Sequence, residues 1–234
     1  MRTAAARFAY RASEDVADAQ FTELTAFAAL MTLPDGVPVV AVVVGYIGDL
    51  ADGDVHVAPV RKIGSPLVDT IGPMSYVQLN TMFDAAFPYG GVQRYWKSSF
   101  LKQLGDEVLE ILVDRAASMR SPMSMVGFFH VHGAATRVDA NEIAFGLRDD
   151  QWDYDVISQW TDLAESAGHI QWTREFWTAV EPFASGEVYV NRLDAEEGTT
   201  RIKASRSYER LVALKNKYDP TNLFRLNQNI KPMV

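Results

Sequence analysis

The chain has 234 residues and no cysteine. That excludes disulfides, thiolate catalysis, Cys-ligated zinc and iron–sulfur clusters. Neither G-x-G-x-x-G nor G-x-x-x-x-G-K-[ST] occurs, so a nucleotide is not cradled in either of those standard ways. The glycines of "GYIGDLADG" (45–53) have the wrong spacing and read as a turn. Basic charge is in deficit, with 22 Lys and Arg against 30 Asp and Glu and a net charge of −8. This argues against nucleic acid as the main partner and against docking on an anionic membrane. The longest apolar run, "VPVVAVVVGYIG" (37–48), is too short to cross a bilayer as a helix. The N-terminus lacks the apolar core of a signal peptide, and a cytoplasmic location is the default expectation. No internal repeat, low-complexity run or Gly/Ser linker interrupts the chain.

What is present is ordinary globular material, 48% apolar and 22% charged, enough for one large domain or two small ones. Residues 13–20 read as the last turns of a helix. "ELTAFAALMTL" (23–33), the turn "PDG" (34–36) and the run at 37–48 predict a β-hairpin. The second hairpin strand is apolar on both faces and is expected at the centre of a sheet. A short helix follows in 50–64, and helical spacing recurs over 75–87. Strands are expected at 93–101, 125–133, 141–147, 153–160 and 187–193. Helices are expected at 105–119, 169–183 and 204–220, the last ended by Pro220. Strands and helices are interspersed without regular βαβ units. The predicted fold is therefore α+β, an antiparallel β-sheet backed by helices on one face. The other face must meet solvent or another molecule.

Polar residues in strand patterns supply the candidate site. His130 and His132 share a strand face; they could hold a metal with a third ligand or, the favoured reading, line a substrate pocket on the open face. In "DYDVISQW" (153–160), Asp153, Asp155 and Gln159 share one parity, and Tyr154, Ser158 and Trp160 the other. The acidic pair suggests a general base, yet Asp153 reads better as a solvated strand end, and Gln159 is the better pocket candidate. Tyr189 and Asn191 fall on one face of "VYVN" (188–191). Spacing alone favours a core tyrosine with a satisfied hydroxyl. Asn227 and Asn229 lie on one side of an extended tail. The tail could be a turn-forming end, but Leu223, Phe224, Leu226 and Ile230 need a buried partner, so it reads as a strand that packs on something.

The segment "YERLVALKNKYDPTNLFRLNQNI" (208–230) resembles the C-terminal signature of berberine-bridge-enzyme-like FAD-linked oxidases, flavoproteins of the vanillyl-alcohol-oxidase type. The likeness extends through "SGEVYVN" (185–191), "GPMSYVQLNTMFDAAFP" (72–88), "YWKSSFL" (95–101) and "LPDGVPVVAVVVGYIGDL" (33–50). It implies a substrate-binding domain over 1–193 and a C-terminal segment over 194–234 that returns to a FAD-binding domain. The open sheet face would cover the isoalloxazine ring of FAD. Tyr189 matches the family's Tyr-x-Asn tyrosine, the proposed base, with Asn191 beside it. Asn227 and Asn229 match its Asn-x-Asn near the flavin. The half that holds the FAD pyrophosphate and the covalent flavin link in such enzymes has no counterpart in this sequence. The expected function is therefore the substrate-binding, C-terminal half of a FAD-dependent oxidoreductase acting on an alcohol or amine carbon by hydride transfer. Its partners would be a small-molecule substrate and a separate FAD-binding subunit, or a second copy through self-association. The alternatives are a non-catalytic small-molecule-binding module and, more weakly, a metal enzyme using His130 and His132.

Overall fold

A computed structural model describes residues 24–63, 65–193, 197, 200–203, 207–226 and 228–233. The helix end expected at 13–20 lies outside them. Five antiparallel strands form one sheet in the order β2-β1-β4-β5-β3. They are β1 (Leu24–Thr32), β2 (Pro38–Tyr46), β3 (Gln93–Leu101), β4 (Met125–Val131) and β5 (Gln151–Trp160). Among the described residues the helices are α1 (Gly53–Arg61), α2 (Tyr76–Thr81), α3 (Asp106–Ala116), α4 (Ser166–Val180), α5 (Thr200–Lys203) and α6 (Tyr208–Tyr218).

The β1–β2 hairpin forms as its turn chemistry predicts. Gly36 takes φ +85°, and the Asp35 carboxylate accepts the Val37 amide at 3.1 Å. Pairing then runs unbroken from Thr32↔Pro38 to Leu24↔Tyr46. One expectation fails: β2 is an edge strand and β4 takes the centre. The double apolar character of β2 has a different origin. Val40 and Val42 pack under the helices, Val44 and Tyr46 under α1, while the alternate residues stay half-exposed on the other side.

Periodicity explains the core. Val108, Leu109, Leu112 and Val113, the stripe expected on α3, are all buried. Acidic Asp106 and Glu107 open that helix and Arg115 closes it, which suits the helix dipole. Trp172, Phe176 and Val180 of α4 meet them over Phe128, Trp152, Tyr154 and Val156. A smaller cluster sets Val57 and Val60 of α1 against Leu24 and Ala26. Thus α1, α3 and α4 cover one face, and the α+β architecture expected from the sequence is what the chain adopts.

Two expected strands are absent. Residues 141–147 form a turn, begun by the Asp139 carboxylate accepting the Asn141 amide at 2.8 Å. Ile143, Phe145 and Leu147 alternate as in a strand, but β4 already pairs with β1 and β5 on its two sides, so no interior edge is free. Residues 187–193 form no strand pairing; the backbone meets the sheet just before them, through a Leu101↔Ala184 bridge and the Ser185 amide on the Phe100 carbonyl at 2.8 Å. Gly186, at φ +83°, then turns the chain away, and Val190–Arg192 close a 3-10 turn. The C-terminal tail is likewise not a strand among the described residues. Asp219 gathers it instead, accepting the Leu223 amide at 2.7 Å and the Phe224 amide at 3.1 Å. Asn222 takes a left-handed φ of 56° to allow this. Among the described residues, no helix is long and apolar enough to cross a membrane.

Candidate functional site

The side of the sheet away from α3 and α4 has a polar centre. Asp153 and Asp155, two apart on β5, both face it, as do Ser98 and Phe129 by cross-strand pairing. The carboxylates are 5% and 3% exposed, so Asp153 is not the solvated strand end expected. One cation answers both. Arg192, from the 3-10 turn, places Nε 3.5 Å from Asp153 Oδ2 and pairs its Nη1 with Asp155. Its guanidinium lies 4.9 Å over the Phe129 ring, and its carbonyl accepts Trp96 Nε1 at 3.0 Å. Ser98 Oγ donates to Asp153 Oδ1 at 3.2 Å. Burial raises the Asp153 pKa, against the opposing pull of Arg192 and then Ser98.

This has a pH consequence. A carboxyl whose folded-state pKa is raised contributes most stability when protonated. Relative to an Asp153→Asn variant, the wild-type chain should be less stable near neutrality. The deficit should shrink as pH falls through the raised folded value towards 3.8, the unfolded reference. Urea denaturation of both proteins over that window measures it; a pH-independent difference would refute the assignment.

The segment bearing Tyr189 is held against this centre. Glu187 Oε2 accepts Gln151 Nε2 at 2.8 Å. Tyr189 Oη accepts Asn191 Nδ2 at 2.9 Å, so these two residues do meet, through a tight turn rather than a strand face. The Tyr189 ring stands edge-on to Phe145 at 5.4 Å. The tail joins through Gln228, whose Nε2 donates to the Leu193 carbonyl at 2.8 Å. Next to it, Asn229 Oδ1 is buried with no hydrogen-bond partner among the described residues. Asn227 lies outside the described residues.

The other candidates sit elsewhere. His130 pairs with Trp152 across the strands, which puts it on the helix-covered face, not the open one. Its ring lies between Trp152, at 4.2 Å, and His132, at 4.6 Å, and Asp150 Oδ1 lies 2.6 Å from its Nε2. Burial lowers the His132 pKa, helped by His130 and opposed by Asp150. Among the described residues no cluster of three His, Cys, Asp or Glu side chains is set to hold a metal. Gln159 is buried and fully engaged. It accepts Arg94 Nε at 2.8 Å and donates to the Met123 and Ala86 carbonyls at 2.8 and 3.3 Å. It braces the end of β5.

A second feature is apolar surface without cover. The Ser75–Gln78 capping box forms α2, as its spacing predicts, yet α2 buries no residue. Val77 and Phe83 are 69% and 41% exposed, and the Phe83 ring stands edge-on to Phe27 of the open face, 6.0 Å away. In the tail, Leu223, Phe224 and Leu226 are exposed by 70%, 79% and 84%. Apolar surface of this extent marks an interaction site. The Asn229 acceptor, buried and without a partner among the described residues, is a group that the edge of an FAD ring could satisfy. Neither of the two standard phosphate-binding glycine motifs occurs in the sequence.

Comparison with known proteins agrees. The family described as berberine and berberine like matches residues 188–231. A FAD-linked oxidoreductase of Dictyostelium discoideum is 28% identical over 226 residues, covering 96% of this chain and 47% of that protein. An uncharacterized FAD-linked oxidoreductase of Bacillus subtilis, YgaK, is 26% identical over 80% of this chain and 42% of its own length. Among solved structures, a BBE-like protein of Arabidopsis thaliana superposes with a TM-score of 0.82 at 17% identity, over 100% of this chain and 55% of that one. 6-Hydroxy-D-nicotine oxidase of Arthrobacter nicotinovorans gives 0.79 at 20% identity, over 99% and 52%. Residues 188–231 therefore match the berberine and berberine-like family, and the chain as a whole is similar to the C-terminal half of berberine-bridge-like FAD-linked oxidoreductases, spanning about half the length of the curated relatives it matches.

Proposed function

We propose that this chain is the substrate-binding and C-terminal part of a FAD-dependent oxidoreductase that oxidises an alcohol or amine carbon of a small molecule. The adenine and pyrophosphate of FAD would be held by the part of such enzymes that this chain does not span, whether joined to it or supplied by a partner subunit. FAD, when bound, supplies the hydride acceptor. The residues here hold the substrate over the open sheet face, take up its proton and exclude water.

One stretch, 187–193, carries this reading. It holds Tyr189 and Asn191 in contact, grips the β5 carboxylates through Arg192 and ties the tail through Leu193. Asn191 donates to Tyr189 Oη, which fixes the direction of the oxygen that, once its own proton has passed to solvent, would accept the substrate proton. Asp153 and Asp155, paired with Arg192, hold the 187–193 stretch against the same face and so fix where Tyr189 stands over it. Asn229 Oδ1 offers an acceptor to the edge of the flavin ring.

In the flavin-loaded protein, Tyr189→Phe should lower the rate of flavin reduction by about 10²–10⁴-fold, the usual weight of a positioned base. Stopped-flow reduction reads this directly. An unchanged rate would remove Tyr189 from the chemistry.

A further inference from the structure

The two edges of the sheet are built differently. Along β3, Arg94 and Lys97 interrupt the apolar pattern, the Leu101↔Ala184 bridge covers one end, and Trp96 is tied down by the Arg192 carbonyl. Charge and covering chain are the usual means of closing an edge. β2 has neither. Pro38–Tyr46 carries no charge, pairs with β1 at every position without a bulge, and has Pro only at its first residue. Along such a strand alternate residues turn their N–H and C=O groups away from the neighbour, towards whatever lies outside. Apart from the ladder to β1, no backbone hydrogen bond involves residues 39–45 among the described residues.

The sequence of this edge suits itself. Val39-Val40-Ala41-Val42-Val43 reads the same in both directions. An antiparallel copy with Ala41 facing Ala41 sets Val39 against Val43 and Val40 against Val42. Face is conserved: Val40 and Val42 extend the helix-covered layer, while Val39, Ala41 and Val43 extend the other. The smallest side chain falls on the two-fold axis, where the strands approach most closely. Beyond the strand ends Asp35 meets Ile47 and Leu33 meets Asp49, so no like charges oppose each other. Val37 and Ile47, 42% and 75% exposed, flank the edge and would lose solvent.

We propose that two copies of this chain join through β2, antiparallel about a two-fold axis at Ala41, so that their sheets run on as one. This is an isologous contact made of ladder hydrogen bonds and β-branched cross-strand pairs. It is independent of the flavin reading, because it uses the edge of the sheet and not its polar face.

Light scattering on the full chain after size exclusion tests it. The wild-type chain should run as a dimer. Ala41→Lys and Ala41→Glu each set like charges on the axis, and each should weaken association at least about tenfold. Mixed in equal amounts, the two variants should pair as a heterodimer. Circular dichroism checks that each keeps the fold. Should they fail to fold, wild-type amide exchange decides: residues 39–45 should exchange slowly when concentrated and faster on dilution. A monomeric wild type, a dimer indifferent to Ala41→Lys (as expected for association through exposed residues such as Phe224), or concentration-independent exchange in β2 would each overturn the proposal.

Discussion

Replacing Arg192 by methionine should destabilise the folded chain by about 3 kcal/mol near neutral pH, as when one partner of a buried ion pair is removed. The loss has an identifiable source. Asp153 and Asp155 are buried side by side on one strand face, and Arg192 is the cation that contacts both. Ser98 supplies one hydrogen bond to Asp153, which cannot offset an unpaired carboxylate. Methionine keeps much of the apolar stem over Phe129, so the change reports mainly on charge. In an Asp153→Asn/Asp155→Asn background the same substitution should cost much less, since no charge remains to be answered. Urea titrations of the four proteins give the coupling; equal losses in both backgrounds would mean that Arg192 acts through packing alone.

Phe176→Ala should cost about 3–5 kcal/mol, the range for emptying an aromatic site in a core. Phe176 is 0% exposed, stands edge-on to Trp172 at 5.4 Å and sits in the cluster that joins α4 to β5. Phe83→Ala and Phe224→Ala offer the contrast. Neither ring is buried, at 41% and 79% exposed, so each loss should stay well below that of Phe176→Ala for the chain alone, about 1 kcal/mol or less. Their effect should appear as weaker association once a flavin-bearing partner is present. Thermal or urea unfolding measures the first, and a binding titration with that partner the second. A large stability loss from Phe83→Ala would show that its contact with Phe27 is core and not a docking surface.

Periodicity made the helices and their buried stripes readable, because burial on one side leaves a regular record. Gly105 and the acidic pair after it mark the start of α3, and α4 begins a turn before its apolar stripe. Strand order was not readable. β2 looks central because it is apolar on both sides, but a hairpin strand under two helices has that composition at an edge too. Residues 141–147 alternate like a strand, but the neighbouring β4 is already paired on both sides. At the site, the parity of β5 correctly separates Asp153, Asp155 and Gln159 from Tyr154 and Ser158. Parity does not reveal depth: Asp153 is buried beneath Arg192, and Gln159 is spent on main-chain carbonyls. Arg192 carries no local signal, since its partners lie more than thirty residues away on another element. His130 and His132 share a face, but only the register with Trp152 tells which face that is.

The central claim is that the polar sheet face, the 187–193 stretch and the tail together receive a flavin held mainly by other polypeptide. Amide hydrogen exchange of this chain, alone and with an FAD-loaded flavin-binding half such as that of the Dictyostelium discoideum relative, tests it most directly. Slowed exchange concentrated in 187–193, α2 and 222–230, with α3 and α4 unchanged, is the expected result. Protection falling on the helix-covered face, or no change in those three segments, would contradict it.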